Sequence, residues 1–122
     1  MDKLEEIVKL QTEFMDSLGV PRIGPGADLA GTSAVSQEVQ RQIPHLMFAL
    51  TCELGEVGDA INWKSWKKTQ HVVDMDNLRM EFIDALHFLL EMAIMCGMDA
   101  DTIHTEYLKK MSENLRRQRE GY

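Results

Sequence analysis

The stretch CELGEVGDAINWKSWKK, residues 52–68, carries acidic side chains in the part of a helix that is expected to be buried. On a helical wheel at about 100° per residue, Glu53 and Glu56 both project into an apolar stripe. The apolar members of that stripe are Leu46, Ala49, Leu50, Val57, Ala60 and Trp63. Burial of an isolated carboxylate is costly even after the protein relaxes, so this pair requires a compensating charge.

The stretch NLRMEFIDALHFLLEMAI, residues 77–94, repeats this arrangement. Glu81 projects between apolar side chains, and Asp84 lies nearer a polar seam that includes His87 and Glu91. Each pair has the spacing i, i+3, which places both members on one side of a helix. A single pair of this kind is usually solvated surface. Two pairs directed toward apolar stripes indicate a shared site.

A divalent cation is the compensating charge that these residue types favour. Lys64 is the one basic residue within the first stripe, which leaves the acids largely unbalanced. Mg²⁺ prefers carboxylate oxygens and retains waters that a substrate phosphate can replace. Zinc requires His or Cys at set spacings, whereas the histidines here are scattered and are interpreted as packing or surface residues: His45, His71, His87 and His104. The predicted magnesium ligands, which Mn²⁺ can also use, are Glu53, Glu56, Glu81 and Asp84.

Composition places the chain among ordinary single-domain globular proteins. Its 122 residues, 44% hydrophobic and 27% charged, suffice for one modest core, and a single domain over residues 1–122 is predicted. The net charge of −7 argues against nucleic acid or an anionic membrane as a partner. Cys52 and Cys96 lack the spacing of a disulfide framework, and no signal peptide or membrane-spanning run is evident. A reducing cytoplasm is therefore expected.

Hydrophobic periodicity predicts an all-α chain with four main helices, because no strand alternation persists. Asp2 is expected to cap the first helix, and Gly19 and Gly97 are natural ends for the first and third. Asp99 or Asp101 is expected to cap the fourth helix, which runs through YLKKMSENLRRQR. The first and third helices are predicted over residues 2–18 and 76–96.

The second helix has weaker boundaries in the sequence. Pro44 suits a first-turn position, so the helix is predicted to begin near Pro44 and to run to about Trp66. Residues 19–36 are rich in Gly, Pro, Ala and Ser and are interpreted as a loop, with a short helix near residues 34–42. Residues 67–77 are predicted to form a polar connection. The expected architecture is a bundle of four to five helices packed through apolar stripes.

The ExxE pair followed by an ExxD pair on a later helix resembles the all-α nucleoside triphosphate pyrophosphatase superfamily, which includes MazG-like enzymes and the dimeric dUTPases. The resemblance spans about residues 44–122 and rests on ELGEVGDAINWKSWKK, EFIDALHFLLEMAI and the closing YLKKMSENLRRQREGY. The chain is shorter than typical dimeric dUTPases, and Met111 stands where a polar residue is expected before Asn114. These two departures bear on the base more than on the reaction.

The resemblance implies Mg²⁺-dependent hydrolysis of a (deoxy)nucleoside triphosphate to its monophosphate and diphosphate. Metal ions in such sites neutralise phosphate charge and activate water. Glu53 is the expected catalytic base, because it lies deepest in the apolar stripe. Basic and amide side chains near the acids and on the last helix are expected to bind phosphate, the alternative being a solvated basic face. The predicted phosphate-binding residues are Lys64, Lys67, Lys110, Asn114 and Arg117.

Three side chains are candidates for reading the base. Gln11 interrupts the apolar stripe of the first helix, and its amide can read a base edge or join two helices. Trp63 can stack on a base or pack in the core, and Asn62 has a comparable pair of roles open to it. Gln11, Asn62 and Trp63 are therefore the predicted base-binding residues.

The first substrate expected is dUTP, with dCTP and the purine nucleotides dGTP and dATP as alternatives of the phage or bacterial MazG-like type. A phosphoribosyl-ATP pyrophosphatase is a further alternative with the same chemistry. A non-enzymatic helical metal-binding or interaction module is the alternative from another class. The superfamily also implies a homodimer or a dimer of dimers, as does the small surface that four helices bury alone. The expected location is the cytoplasm of a bacterium, where a phage-encoded protein would also act.

Overall fold

Four α-helices account for most of the computed structural model, which describes residues 1–30 and 33–121, and these two ranges contain no strand. The helices are α1 (Lys3–Ser17), α2 (Ala34–Asp59), α3 (Met75–Met95) and α4 (Ala100–Arg119). The all-α prediction is confirmed. Gly31 and Thr32 of the predicted loop, and Tyr122 of the C-terminal stretch, lie outside the described residues.

Each helix begins at a side chain that satisfies a free backbone N–H group. Asp2 accepts from the Glu5 N–H at 2.8 Å, and the Glu5 side chain accepts from the Asp2 N–H, which completes a capping box. Ser33, Asp74 and Asp99 serve as N-caps for α2, α3 and α4. The cap predicted for α1 is confirmed, and α4 takes the first of its two predicted caps.

The predicted end of α3 is also confirmed. Gly97 has a φ of 87°, a left-handed conformation that residues with a side chain seldom adopt. A Cβ atom at this position would lie 2.9 Å from the Gly24 carbonyl oxygen. The segment that contains Gly24 crosses the end of α3, where the Ile23 N–H donates to the Met95 carbonyl oxygen at 3.0 Å. Glycine is therefore needed for both the turn and the crossing.

The prediction for the start of α2 was wrong. The short helix predicted at residues 34–42 is the first part of α2, and Pro44 lies inside the helix rather than in its first turn. An interior proline loses one backbone hydrogen bond. The residues before it are nevertheless well packed, since Ser36 and Val39 are buried and Ser36 Oγ donates to the Leu29 carbonyl oxygen at 2.8 Å. Tertiary packing outweighs the cost of the proline.

The predicted end of α2 near Trp66 was wrong as well, because the helix stops at Asp59. The Asn62 side chain holds the turn that follows. Its Nδ2 donates to the His71 carbonyl oxygen at 2.8 Å, and its Oδ1 accepts from the His71 N–H at 3.0 Å. These side chain–backbone bonds compete with continuation of the helix, although the apolar period of the sequence runs past Asp59.

The helices pack around one small core. α2 and α3 form the main pair, α1 packs on α3, and α4 packs on α1. Val39 near the start of α2 and Met95 at the end of α3 share this core, so the two helices run antiparallel. The buried core residues are Val8, Met15, Ile23, Val39, Ile94 and Met95. Within the described ranges, none of the helices has the length and apolar character that crossing a bilayer requires.

Many apolar side chains are exposed in a single chain. On α1, Val8 and Met15 are buried, whereas Ile7, Phe14 and the C-cap residue Leu18 are exposed. Among its described residues, α4 has none that is buried. Its exposed apolar side chains include Tyr107, Leu108, Met111 and Leu115. The bundle therefore leaves an apolar surface on α1 and α4 that nothing in the single chain covers.

Candidate functional site

The acidic pairs of α2 and α3 meet where these two helices pack. One carboxylate oxygen each from Glu53, Glu81 and Asp84, here called the acid cluster, lies within 4.8 Å of the other two. Oxygens on opposite sides of one divalent cation, at about 2.0–2.6 Å from it, are about 4–5 Å apart, so small side-chain movements would let these three share an ion. Glu53 and Glu81 are half-buried.

Glu56 lies one turn beyond Glu53 on α2 but is exposed, and it is outside the acid cluster. Its charge still affects the cluster. Desolvation raises the pKa of Glu81, and the negative charges of Glu56, Asp84 and Glu53 raise it further. None of these four acids forms an ion pair with a basic side chain in the described part of the chain. Negative charge is thus concentrated here without a counter-charge from the protein.

The donor set suits a hard cation. All three groups offer carboxylate oxygen, and no His or Cys among the residues described joins them. Carboxylate oxygen is the donor that Mg²⁺ and Mn²⁺ prefer, whereas a zinc site would use His or Cys. The residues present therefore fit the magnesium ion that the sequence predicts, with Glu53, Glu81 and Asp84 as the side chains that would hold it.

A polar cavity of about 290 Å³ lies beyond the end of α2. Lys64 and Lys67 line it, together with Asn62 and Trp63. Lys64 Nζ lies 5.5 Å from the centre of the Trp63 ring, within the range of a cation–π contact. Trp63 also meets Trp66 edge to face, with 5.6 Å between ring centres. The loop after α2 thus gathers two predicted phosphate-binding residues and two predicted base-binding residues.

The other predicted phosphate-binding residues lie apart from this loop. Lys110, Asn114 and Arg117, here called the α4 basic face, follow the spacing i, i+4, i+7 and so share one side of α4. Arg117 Nε donates to Glu113 Oε1 at 3.1 Å. In the described ranges α4 packs on α1 and not on α2, the helix that carries Glu53. A single chain therefore does not bring the α4 basic face against the acids of α2.

Gln11 contacts α3 through a side-chain hydrogen bond. The residue is buried, with 7% of its surface exposed, and its Oε1 lies 2.9 Å from His87 Nδ1. The helix-joining role that the sequence left open for Gln11 is therefore present. Sequence analysis missed His87 as its partner, because 76 residues separate the two. The sequence feature that could have drawn attention to His87 was its position one helical turn after the predicted metal ligand Asp84.

The two other predicted base-binding residues differ in whether their side chains are available to contact a ligand. The Asn62 amide is engaged at both ends by the backbone of His71. Trp63 is 52% exposed, so it is not a core residue in the single chain. An exposed indole beside a polar cavity is available for stacking, whereas Asn62 would have to exchange backbone bonds to contact a ligand.

Comparison with known proteins identifies the family of this chain. Residues 27–101 match the family model dUTPase_2, which is described as dUTPase. The chain belongs to this dUTPase family. The matched range includes both acidic pairs and the loop after α2, while Gln11 and the α4 basic face lie outside it. Membership confirms the resemblance to the all-α nucleoside triphosphate pyrophosphatases.

A dCTP pyrophosphatase of Enterobacteria phage LZ5 is similar to this dUTPase-family chain, with 33% identity over 79 residues. The similarity covers 56% of this chain and 46% of the phage protein, so the chain matches about half the length of that relative. No solved structure gives a significant match.

Proposed function

We propose that this chain is a Mg²⁺-dependent pyrophosphohydrolase of deoxynucleoside triphosphates, which converts dNTP and water to dNMP and diphosphate. The observation that carries the proposal is the acid cluster, whose oxygens lie within 4.8 Å of one another inside the range that matches the dUTPase family. Three carboxylates without a protein counter-charge suit a substrate that arrives with a cation. The cation then offsets the charge of the acids and of the triphosphate together.

Each group of the site has a distinct role in the proposed reaction. The acid cluster would hold Mg²⁺, which when bound offsets phosphate charge and makes the attacking water more acidic. Glu53 accepts the proton of that water as its oxygen attacks phosphorus, and the bond between the α- and β-phosphates breaks. Lys64 and Lys67 bind phosphate oxygens and offset the charge of the departing group.

The identity of the substrate's base is proposed from observations other than the acid cluster. The dUTPase description of the family favours dUTP, and the name of the phage relative favours dCTP, so these two nucleotides are the first to compare. Trp63 supports a stacked base, because about half of the residue is exposed and it lines the polar cavity. Gln11 and Asn62 are the amides proposed for the base edge. The purine nucleotides dGTP and dATP serve as comparison substrates.

The active form is proposed to be a homodimer or a dimer of dimers. Tyr107 and Met111 are exposed on α4, on the side that borders Lys110 and Asn114 of the α4 basic face. Packing this side of α4 on a second copy would bury apolar surface and bring positive charge toward the acids of that copy. Sedimentation at micromolar concentration tests this point, and a stable, fully active monomer would contradict it.

A substrate panel tests the reaction. The panel contains the canonical NTPs and dNTPs, dUTP and phosphoribosyl-ATP, each with Mg²⁺ and with EDTA. We expect diphosphate, detected by phosphorus NMR, from dUTP or dCTP with Mg²⁺ and none with EDTA. Hydrolysis in ¹⁸O-labelled water then shows which phosphorus is attacked. Release of orthophosphate, or no turnover of any nucleotide, would contradict the proposal and favour a non-enzymatic metal-binding module.

A further inference from the structure

Gln11 is polar at a position where the fold calls for an apolar side chain. It lies on α1 between the buried residues Val8 and Met15 and is itself almost fully buried. Leucine at this position would pack in the stripe without the free-energy cost of burying an amide. The polarity of Gln11 therefore needs a reason beyond the packing of α1 on α3.

One end of the Gln11 amide is held in place. Its Oε1 lies 2.9 Å from Nδ1 of His87 on α3. A carbonyl oxygen can only accept a hydrogen bond, so Nδ1 of His87 carries the hydrogen and donates it. His87 is itself three residues beyond Asp84 on α3, a rise of about 4.5 Å along the helix axis. The amide is therefore held against α3 one helical turn beyond Asp84 of the acid cluster.

The other end of the amide is available. Among the described residues, none accepts a hydrogen bond from Gln11 Nε2. The same residues contain no buried side-chain nitrogen or oxygen that lacks a partner. Nε2 therefore reaches accessible space, although the rest of the side chain is covered.

We infer that His87 is a positioning residue, which holds Gln11 so that the amide NH₂ group is directed at the base of the substrate. The inference rests on the proposed function and adds the chemistry that the base must present, a hydrogen-bond acceptor. An amide that is not held can turn over and offer either its donor or its acceptor. The hydrogen bond from His87 Nδ1 fixes the orientation of the amide, with its oxygen toward His87.

A donor fixed at position 4 of the ring favours uracil over cytosine, whereas position 2 is a carbonyl oxygen in both bases. Uracil presents carbonyl oxygens at both exocyclic positions of its ring, whereas cytosine presents an amino group at one of them. An amino group facing the Gln11 NH₂ leaves two donors without an acceptor, and a site built on buried polar groups discriminates strongly against such a mismatch. The structure therefore assigns the choice of dUTP over dCTP partly to a histidine that does not touch the base.

Substitutions of His87 test the inference directly. His87→Phe removes the Nδ1 hydrogen and keeps a ring of similar size. We expect KM for dUTP to rise about fivefold, the equivalent of one neutral hydrogen bond, while kcat changes by less than about twofold. The preference for dUTP over dCTP should fall by a similar factor. Binding of the non-hydrolysable analogue α,β-imido-dUTP, measured by calorimetry, should weaken in parallel with the rise in KM.

Two amide variants separate positioning from general packing. The amide of His87→Asn lies near the place of Nδ1, so this variant should recover most of the lost affinity. The amide of His87→Gln lies nearer the place of Nε2, so this variant should not. Gln11→Glu keeps an acceptor for His87 but replaces the donor with a second acceptor. We expect it to raise KM for dUTP at least about tenfold.

His104→Phe, the same substitution at an exposed histidine of α4, is the matched control. A purely structural role for His87 predicts that the thermal midpoint and kcat fall together, with no change in the ratio of dUTP to dCTP turnover. That result, or equal behaviour of His87→Asn and His87→Gln, would overturn the inference. Unchanged KM in an active His87→Phe enzyme overturns the inference alone, whereas a wild-type protein without any turnover overturns the proposed function and the inference with it.

Discussion

The acid cluster and the α4 basic face are built in opposite ways. The acid cluster lies between two helices of one chain, and its Glu53 and Glu81 side chains are half-buried. Among the described residues, no basic side chain forms an ion pair with it. The α4 basic face is on an exposed helix, where Arg117 already pairs with Glu113. The single chain thus assembles the group of residues that is proposed to bind a cation. The face that is proposed to bind phosphate lies on a helix that does not pack on α2 in the described part of the chain.

Two glutamates show the physical difference between these regions. Desolvation and neighbouring negative charges raise the pKa of Glu81 in the acid cluster. The pKa of Glu113 on α4 is lowered, because Arg116 donates hydrogen bonds to it and Arg117 and Lys110 add positive charge. The same side chain is therefore destabilised as an anion in one region and stabilised in the other. An anion destabilised in this way gains most when a cation binds.

The largest expected effect comes from neutralising the acid cluster. Glu53→Gln, Glu81→Gln and Asp84→Asn should each lower kcat for the best dNTP at least about 100-fold, because each removes a proposed metal ligand or the proposed catalytic base. Glu56→Gln should follow with a smaller loss, since its oxygens lie outside the cluster. Steady-state kinetics with saturating Mg²⁺ measures these changes.

Thermal melting separates a metal site from structural acids. Mg²⁺ should raise the melting temperature of the wild type by binding the folded state, and the three cluster variants should lose that gain. In EDTA these variants should be no less stable than the wild type, because each substitution relieves repulsion. Glu106→Gln, on the exposed surface of α4, is the control. Near-normal turnover in any two of the cluster variants would sink the metal assignment.

The next prediction tests whether the α4 basic face of one chain contributes to the site of a second copy. Lys110→Ala should lower kcat/KM about tenfold through the loss of one charge-assisted phosphate contact. Equal mixing with Glu53→Gln protein should then restore about a quarter of wild-type activity, since half the dimers are mixed and each has one complete site. If the mixture shows only the sum of the two separate activities, the α4 basic face serves its own chain or none.

A smaller effect concerns how α4 is anchored. Asp99 caps α4, and its pKa is lowered by hydrogen bonds from the Thr102 backbone and hydroxyl. Asp99→Ala should lower the thermal midpoint by roughly 5 °C. Mg²⁺ binding by the acid cluster, measured by calorimetry, should be unchanged. A parallel loss of Mg²⁺ affinity would show that the two regions are more tightly coupled than their packing suggests.

The smallest effect is a dependence of metal-free stability on pH. The pKa of Glu81 is raised in the folded state, so the folded protein binds more protons than the unfolded chain between the ordinary glutamate pKa and the raised one. Stability in EDTA should therefore fall as pH rises through that window. Glu81→Gln should flatten this slope, and saturating Mg²⁺ should remove or reverse it. Urea unfolding at a series of pH values measures the slope, and an identical slope in Glu81→Gln would rule out Glu81 as its source.

Much of the fold could be predicted from local sequence, but the boundaries of α2 could not. Asp2 and Gly97 mark helix ends through hydrogen bonds and backbone angles that involve only nearby residues. Pro44 suggested a helix start for an equally local reason, yet α2 passes through it because Val39 is buried in a core with residues of α1 and α3. Local propensity is a weak guide wherever burial opposes it.

The sequence by itself determined the four helices and the side of each helix on which Glu53, Glu56, Glu81 and Asp84 lie, because helical period depends only on spacing along the chain. The tertiary structure decided which of these acids meet, since that depends on how α2 and α3 pack. It also decided that Gln11 bonds His87 across 76 residues. A contact between distant residues is fixed by the packing of whole helices, and no local pattern encodes it.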